Sequence, residues 1–251
     1  RPIAELMFSD FAAVCFDFIA NEMPKLAYMT NGQLTCPVVI HTGNGAGVRF
    51  GAQHSQSIEN WTMMIPGLKV VAPSSPVDVI GLMAAAVRDN DPVIFHEHKA
   101  LYATKGEVPD GEIIDRLGTA KVLRPGKDCT ILALALMVPR ALEAAETLAR
   151  DHGIDAEVID VRSLVPLDTQ TILGSVAKTG RLFTVEENPR LLGWGAEIAS
   201  IAADEAFWDL DGPIVRITTP HIPLPAADHL EDLALPNAPR IADKIVRVMN
   251  G

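Results

Sequence analysis

The first half of the chain alternates short apolar runs with stretches whose apolar residues recur at helical spacing. "PIAELMF" (2–8), "CPVVIHT" (36–42), "KVVAPSS" (69–75) and "PVIFHEH" (92–98) read as strands. "DFAAVCFDFIANEMPKLAYM" (10–29) and "PVDVIGLMAAAVRDN" (76–90) read as helices, the first with Asp10 as a possible N-cap, the second with Pro76 in its first turn and Asn90 near its end. The strands are continuous apolar runs, which predicts a parallel sheet buried on both faces. Residues 103–127 are polar and rich in Gly and Pro, and read as a linker with one short strand at "GTAKVL". Beyond it, "CTILALAL", "DAEVIDV", "RLFTVEE" and "PIVRITT" alternate with helical stretches at 138–153, 167–180, 194–208 and 238–250. Gly153 and Gly180 stand where helix C-caps favour a left-handed residue. The pattern predicts an α/β chain of two parallel-sheet, three-layer domains.

Length and charge narrow the function classes. The chain has 251 residues and a formal net charge of −11, so binding driven by neutralising nucleic-acid phosphates is disfavoured. No apolar run approaches a membrane span and no signal peptide is visible, which makes the cytoplasm the default location. Three widely spaced cysteines, Cys15, Cys36 and Cys129, read as thiols in a reducing compartment. The opening "RPIAELMFSDF" has no initiator Met and reads as a chain entered in mid-fold.

The stretch "GNGAGVRFGAQHSQS" (43–57) follows a strand and carries three alternate glycines. Its G-x-G-x-G spacing is not the dinucleotide G-x-G-x-x-G, and the next strand ends "VVAPSS", without the acid that would hold a ribose. A turn at the carboxyl end of a parallel strand accounts for the glycines, and such ends are where open α/β sheets bind ligands. His54 stands there among Gln53, Ser55, Gln56 and Ser57, and a histidine of ordinary pKa can donate or shuttle a proton. In "HEH" only His96 and His98 share a strand face, and a metal there is disfavoured. The pair Glu186–Glu187 ends a strand; a solvated strand end or an interface contact accounts for it without catalysis. Phe11 and Met7, read from spacing alone, are core residues.

"AQHSQS" followed by "PGLKVVAPSSPVDVIGLMAAAVRDNDPVIFHEHKALY" closely resembles the β subunit of the thiamine-diphosphate-dependent decarboxylase of 2-oxo acid dehydrogenase complexes. "ELMFSDFAAVCFDFIANEMPKLAYM" and "DPVIFHEHKALYATKGEVP" resemble the acetoin dehydrogenase branch most, with the pyruvate and branched-chain members next. The resemblance runs over the whole chain. It implies a pyrimidine-binding domain at 1–122, lacking its N-terminal part, and a transketolase C-terminal-like domain at 123–251. It implies cleavage of acetoin, or decarboxylation of a 2-oxo acid such as pyruvate, with acyl transfer to lipoate.

The implied cofactor is thiamine diphosphate with magnesium, both held mainly by an α subunit. The implied partners are that α subunit in an α2β2 heterotetramer, a second β subunit, and the lipoyl and subunit-binding domains of an acyltransferase. By the same resemblance Phe11 stacks on the aminopyrimidine, Met7 lines its pocket, and His54 is the active-site histidine. The carbonyls of Val38, Ala86, Asp89 and Asp91 align with a structural potassium site. The family's cofactor glutamate belongs to a segment preceding position 1. A chain starting at Arg1 is therefore expected to be inactive even with the α partner and cofactor, and a non-catalytic assembly or docking fragment of the complex is the alternative reading.

Overall fold

The computed structural model describes all 251 residues. The first sheet is built from β1 (Ile3–Leu6), β2 (Val39–Asn44), β3 (Lys69–Val71) and β4 (Val93–His98). The second comprises β5 (Lys121–Arg124), β6 (Cys129–Ala133), β7 (Ala156–Asp160), β9 (Leu182–Pro189) and β10 (Val215–Thr219). The remaining strand, β8 (Ser163–Val165), leaves the second half and pairs antiparallel with β3, so the strand orders are β1-β2-β4-β3-β8 and β10-β9-β6-β7-β5. All other pairings are parallel except β5 with β7. Each sheet is thus a parallel sheet closed at one edge by an antiparallel strand. β5 straddles the expected boundary at 122/123. At the opposite edge β1, expected as a buried strand, exposes most of its residues, because only β2 pairs with it.

Between β1 and β2 the chain does not form the regular helix that its spacing predicts. It makes 3-10 turns over Ser9–Cys15, a wide π turn over Phe18–Glu22, another 3-10 turn over Met23–Lys25 and one α turn, α1 (Leu26–Met29). Pro24 lacks the N–H that a continuous ladder needs. Asp10 is not the N-cap: it lies inside the first turn, and Phe8 precedes the helix with no side-chain cap. The other helices are α2 (Glu59–Met63), α3 (Pro76–Arg88), α4 (Met137–His152), α5 (Thr169–Thr179), α6 (Trp194–Glu205), α7 (Asp228–Ala234) and α8 (Ala238–Met249). α2, α7 and β8 are too short to leave a periodicity that a sequence window can detect. Ser75 caps α3 through Asp78 N–H and Asp168 caps α5, while Gly153 and Gly180 take left-handed conformations as C-caps.

Both sheets are covered on both faces. In the first, Ile19, Ile58 and Leu68 pack on one side, and Leu82 and Ala86 of α3 pack with Phe95 on the other. In the second, α4 and α8 cover one face, and α5 and α6 the other. The last of these clusters also contains Val70 and Ala72 from the first half and Leu164 of β8, so apolar packing is continuous across the junction. No helix is long and apolar enough to cross a membrane.

Candidate functional site

β1 and β2 run parallel, so their carboxyl ends lie side by side, and the chain leaving each carries the candidate residues. Phe8 and Phe11 follow β1, and the loop after β2 brings His54 back against both. The His54 ring lies 4.9 Å from the Phe8 centroid and 5.2 Å from that of Phe11, edge-on in each case. Phe11 remains 40% exposed, so its ring faces outward beside the histidine, and Met7, one residue before Phe8, is 74% exposed. That is not core packing. Asp10 Oδ1 accepts the Gln56 N–H at 2.8 Å and ties the Phe11 turn to the His54 loop.

The glycines of the loop are explained by close approach. A Cβ on Gly43 would come within 2.8 Å of the Met7 carbonyl oxygen and 3.3 Å of Lys99 Cγ. Gly45 has φ of +83°, and a Cβ there would fall 2.1 Å from His98 Nε2 and 2.7 Å from Glu187 Oε1.

Beneath the loop lies a buried polar network that spans both halves. His98 Nε2 meets Glu187 Oε2 at 2.9 Å, and Glu187 Oε1 accepts from Ala46 N–H at 2.6 Å and from the Ser57 hydroxyl at 2.8 Å. Burial alone would raise the Glu187 carboxyl, but the His98 ring and these donors outweigh it and hold it at about 2. Asn44 and Asn188 both donate to Glu59, whose carboxyl burial pushes upward. Glu186, also fully buried, is bound by Arg216 at 2.8 Å and by Gly195 N–H. Neither glutamate is the solvated strand end considered from sequence. Glu187 is an interface contact and Glu186 braces the entry to α6. Alongside, a cavity of ≈ 570 Å³ opens between the halves, lined by Gln53, Gln56, Ser57, Glu187 and His221 among others.

His96 and His98 do not form a metal site. No group of three potential side-chain ligands occurs anywhere in the chain. Burial pushes His96 down to about 3, so it is neutral, while His98 is taken by Glu187. Val38, Ala86, Asp89 and Asp91 gather where α3 ends and β4 begins. The Val38 carbonyl accepts from Val93 N–H at 3.0 Å, that of Ala86 from Asp89 N–H at 3.2 Å, and that of Asp89 from the Arg1 guanidinium. Lys69 Nζ lies 2.6 Å from the Asp89 carboxylate and 3.1 Å from that of Asp91.

The residues fit the aminopyrimidine end of thiamine diphosphate. A flat ring, Phe11, and an uncovered Met7 offer apolar surface, and three buried polar atoms near them, Asp10 Oδ2, Ser55 Oγ and Lys99 Nζ, have no partner in the protein. Sequence reasoning did not find Lys99, Glu187 or Glu59 as parts of the site. The only signal was their occurrence beside "HEH", in "EE" and after "AQHSQSI".

Two family descriptions match the chain: the transketolase pyrimidine binding domain over residues 1–105 and the transketolase C-terminal domain over 118–241. The β subunit of acetoin:2,6-dichlorophenolindophenol oxidoreductase from Cupriavidus necator is 49% identical over 251 residues, covering 100% of this chain and 74% of its own length. The protein of the same name from Bacillus subtilis is 49% identical over 249 residues, 99% of this chain and 71% of its own. The pyruvate dehydrogenase E1 component β subunit of Rickettsia felis is 46% identical over 248 residues, with 99% and 76% coverage. Among solved structures, a split-gene transketolase described as an inactive β4 tetramer superposes with a TM-score of 0.78 at 26% identity, covering 99% of this chain and 76% of that one. The pairing of the two transketolase domains, with Phe11 and His54 in ring contact at the carboxyl ends of the strands, agrees with that kinship: the chain belongs to the transketolase-like family of acetoin and pyruvate dehydrogenase E1 β subunits.

Proposed function

We propose that this chain is the β subunit of a thiamine-diphosphate-dependent dehydrogenase that cleaves acetoin or decarboxylates a 2-oxo acid such as pyruvate, and passes the acyl group to lipoate. The observation that carries the reading is the Phe11–His54 ring pair, whose Phe11 stays partly exposed. In this reading the bound cofactor supplies the electron sink. The chain's own residues supply position. Phe11 stacks on the aminopyrimidine, Met7 closes the edge of its pocket, and His54 holds or moves a proton at the reacting oxygen and at the lipoyl sulfur. Asp10 and Glu187 keep the loop of His54 in place.

Residues 1–122 act as the pyrimidine-binding domain and 123–251 as the transketolase C-terminal-like domain. An α subunit holds the diphosphate and magnesium in an α2β2 assembly, a second β subunit packs against the first, and the acyltransferase supplies the lipoyl and subunit-binding domains. The enzyme works in the cytoplasm. Potassium at the carbonyls of Val38, Ala86, Asp89 and Asp91 would have to displace Arg1 from Asp89.

The test is dye reduction by the full-length protein assembled with its α partner, thiamine diphosphate and magnesium, with acetoin and with pyruvate in turn. Turnover of either supports the reading; turnover of neither refutes it. Phe11→Ala should weaken cofactor binding about tenfold, as loss of one ring stack would, measured by calorimetry.

A further inference from the structure

The middle of the His54 loop is tied to the second half of the chain by one buried carboxylate. Glu231, in α7, is 0% exposed. Both of its oxygens face back across the junction. Oε1 accepts from Gly47 N–H at 3.2 Å and Oε2 from the Arg49 guanidinium at 2.6 Å. A second nitrogen of Arg49 donates to Asp232 at 2.8 Å, and its Nε lies 3.4 Å from Asp228. Arg49 holds φ of +64°, a left-handed conformation in which residues other than glycine are uncommon. Two residues on, Gly51 also has a positive φ, and a Cβ there would meet that of Ala226 at 3.4 Å, just ahead of α7. From this strap the chain passes directly to the histidine. The Gly51 carbonyl accepts from His54 N–H at 3.3 Å. Phe50, between Arg49 and Gly51, sets its ring edge-on to Phe8 with centroids 6.0 Å apart, and Phe8 is the ring that packs on His54. Glu187, by contrast, grips the loop at Ala46 and Ser57, on either side of this stretch.

We propose that Glu231 is a positioning residue that sets the place of the His54 imidazole through Arg49. The inference rests on the function proposed above, in which His54 holds or moves a proton. Proton transfer needs its heavy atoms within about 2.6–3.2 Å, so a histidine on a long loop has to be fixed from outside that loop. A carboxylate in water would hold Arg49 only loosely, because an exposed ion pair is worth little. Glu231 is removed from water and has no other hydrogen-bond partner, so its bonds are made only while Gly47 and Arg49 stay docked. Undocking them would strand a buried charge. The docked loop is therefore the favoured arrangement, and the position of His54 follows from it. Asp232 and Asp228, both exposed, add charge around the guanidinium but do not set this preference.

The experiment compares the full-length wild type with Glu231→Gln, Arg49→Asn and the double variant, each assembled with its α partner, thiamine diphosphate and magnesium, on acetoin and on pyruvate. Asn tolerates the left-handed backbone at 49, and Arg49 is only partly buried, so that variant removes the guanidinium without emptying a core position. Each single variant should lower kcat on the substrate that wild type turns over by about 10- to 100-fold, as misplacing a catalytic group by about 1 Å does. KM and thiamine diphosphate affinity should stay within about threefold, because no group that binds either has been removed. The double variant should lose no more than the worse single one, since both cut the same strap. An unchanged kcat, a loss carried by KM or cofactor affinity, or losses that multiply in the double variant overturn the role. A wild type that turns over neither substrate overturns this role and the proposed function together; an active wild type matched by its variants overturns this role alone. A second measurement does not depend on turnover. In crystal structures of the wild-type and Arg49→Asn assemblies, the His54 ring of the variant should leave its contacts with Phe8 and Phe11 while Glu187 keeps Ala46 and Ser57. A ring still in both contacts overturns the proposal.

Discussion

Glu187 connects the site to the second half of the molecule through a single carboxylate with three partners, His98, Ala46 N–H and Ser57. Its carboxyl is held at about 2 against an ordinary 4.5, so its stabilisation is present above pH 4.5 and lost as pH falls toward 2. Glu187→Gln should cost about 2–3 kcal/mol in urea unfolding at neutral pH, because a buried charge-assisted bond is replaced by a weaker one, and should shift the acid unfolding limb. His41 gives the opposite sign. Its bond to Glu97 raises it most, burial opposes, and Glu5 adds, leaving it at about 9 against 6.5. Its stabilisation is complete below pH 6.5 and lost as pH rises through 9. The stability gap between wild type and His41→Asn should therefore close across that window, by about 1–2 kcal/mol once partial exposure is allowed for. His54 and Phe11 could be picked out in the sequence, one by its polar neighbours and the other by family resemblance. Glu187, Glu59 and Lys99 could not. Their significance depends on burial and on residues more than 80 positions away, as with His98 and Glu187, and neither leaves a local pattern.

At the level of elements, the loop from Gly43 to Ser57 is a folded plug whose shape follows from what it packs against. Its spacing departs from the dinucleotide G-x-G-x-x-G, and the strand that follows carries no acid for a ribose. It did not disclose that the place of a Gly45 side chain is taken by His98 and Glu187. Gly45→Ala combines a disfavoured φ with that clash. It should lower stability by about 2–4 kcal/mol and reduce turnover by displacing His54. Thermal unfolding and activity at a temperature where the variant is folded separate the two effects. The segment 9–29 was legible as helical but not as irregular. Its apolar spacing is satisfied by a 3-10 to π to 3-10 sequence as well as by a uniform helix, and Asp10, drawn to Gln56 N–H, is not available as a cap. β8 was invisible for another reason: three residues carry no period, and their strand partner β3 lies some ninety residues earlier.

On the scale of the molecule, β8 makes the two sheets one mechanical unit, and the charges around it make that unit sensitive to pH. Arg162, in the turn between β7 and β8, reaches Asp78 of α3 at 2.8 Å and Asp115 at 2.6 Å. Asp160, fully buried just before it, accepts from Ser74 across the junction and from Arg162 N–H. Burial raises the Asp160 carboxyl most; the Ser74 bond opposes, the Asp78 charge raises it further and Arg162 lowers it, leaving it at about 7 against an ordinary 3.8. The native state then holds a proton that the unfolded state has lost between those values, so stability falls as pH rises from 3.8 to 7. Asn cannot ionise, and its amide still offers Ser74 or Arg162 an acceptor. Asp160→Asn should flatten that slope. Relative to wild type it should gain on the order of 2–4 kcal/mol between pH 4 and pH 8, read from urea midpoints at each pH. Because apolar packing is continuous through Val70, Ala72 and Leu164, both halves should respond together. Fluorescence from Trp61 in the first half and Trp194 in the second, each isolated by replacing the other tryptophans, should give one shared midpoint that moves with the state of Asp160. Separate midpoints would mean that the junction does not couple the sheets.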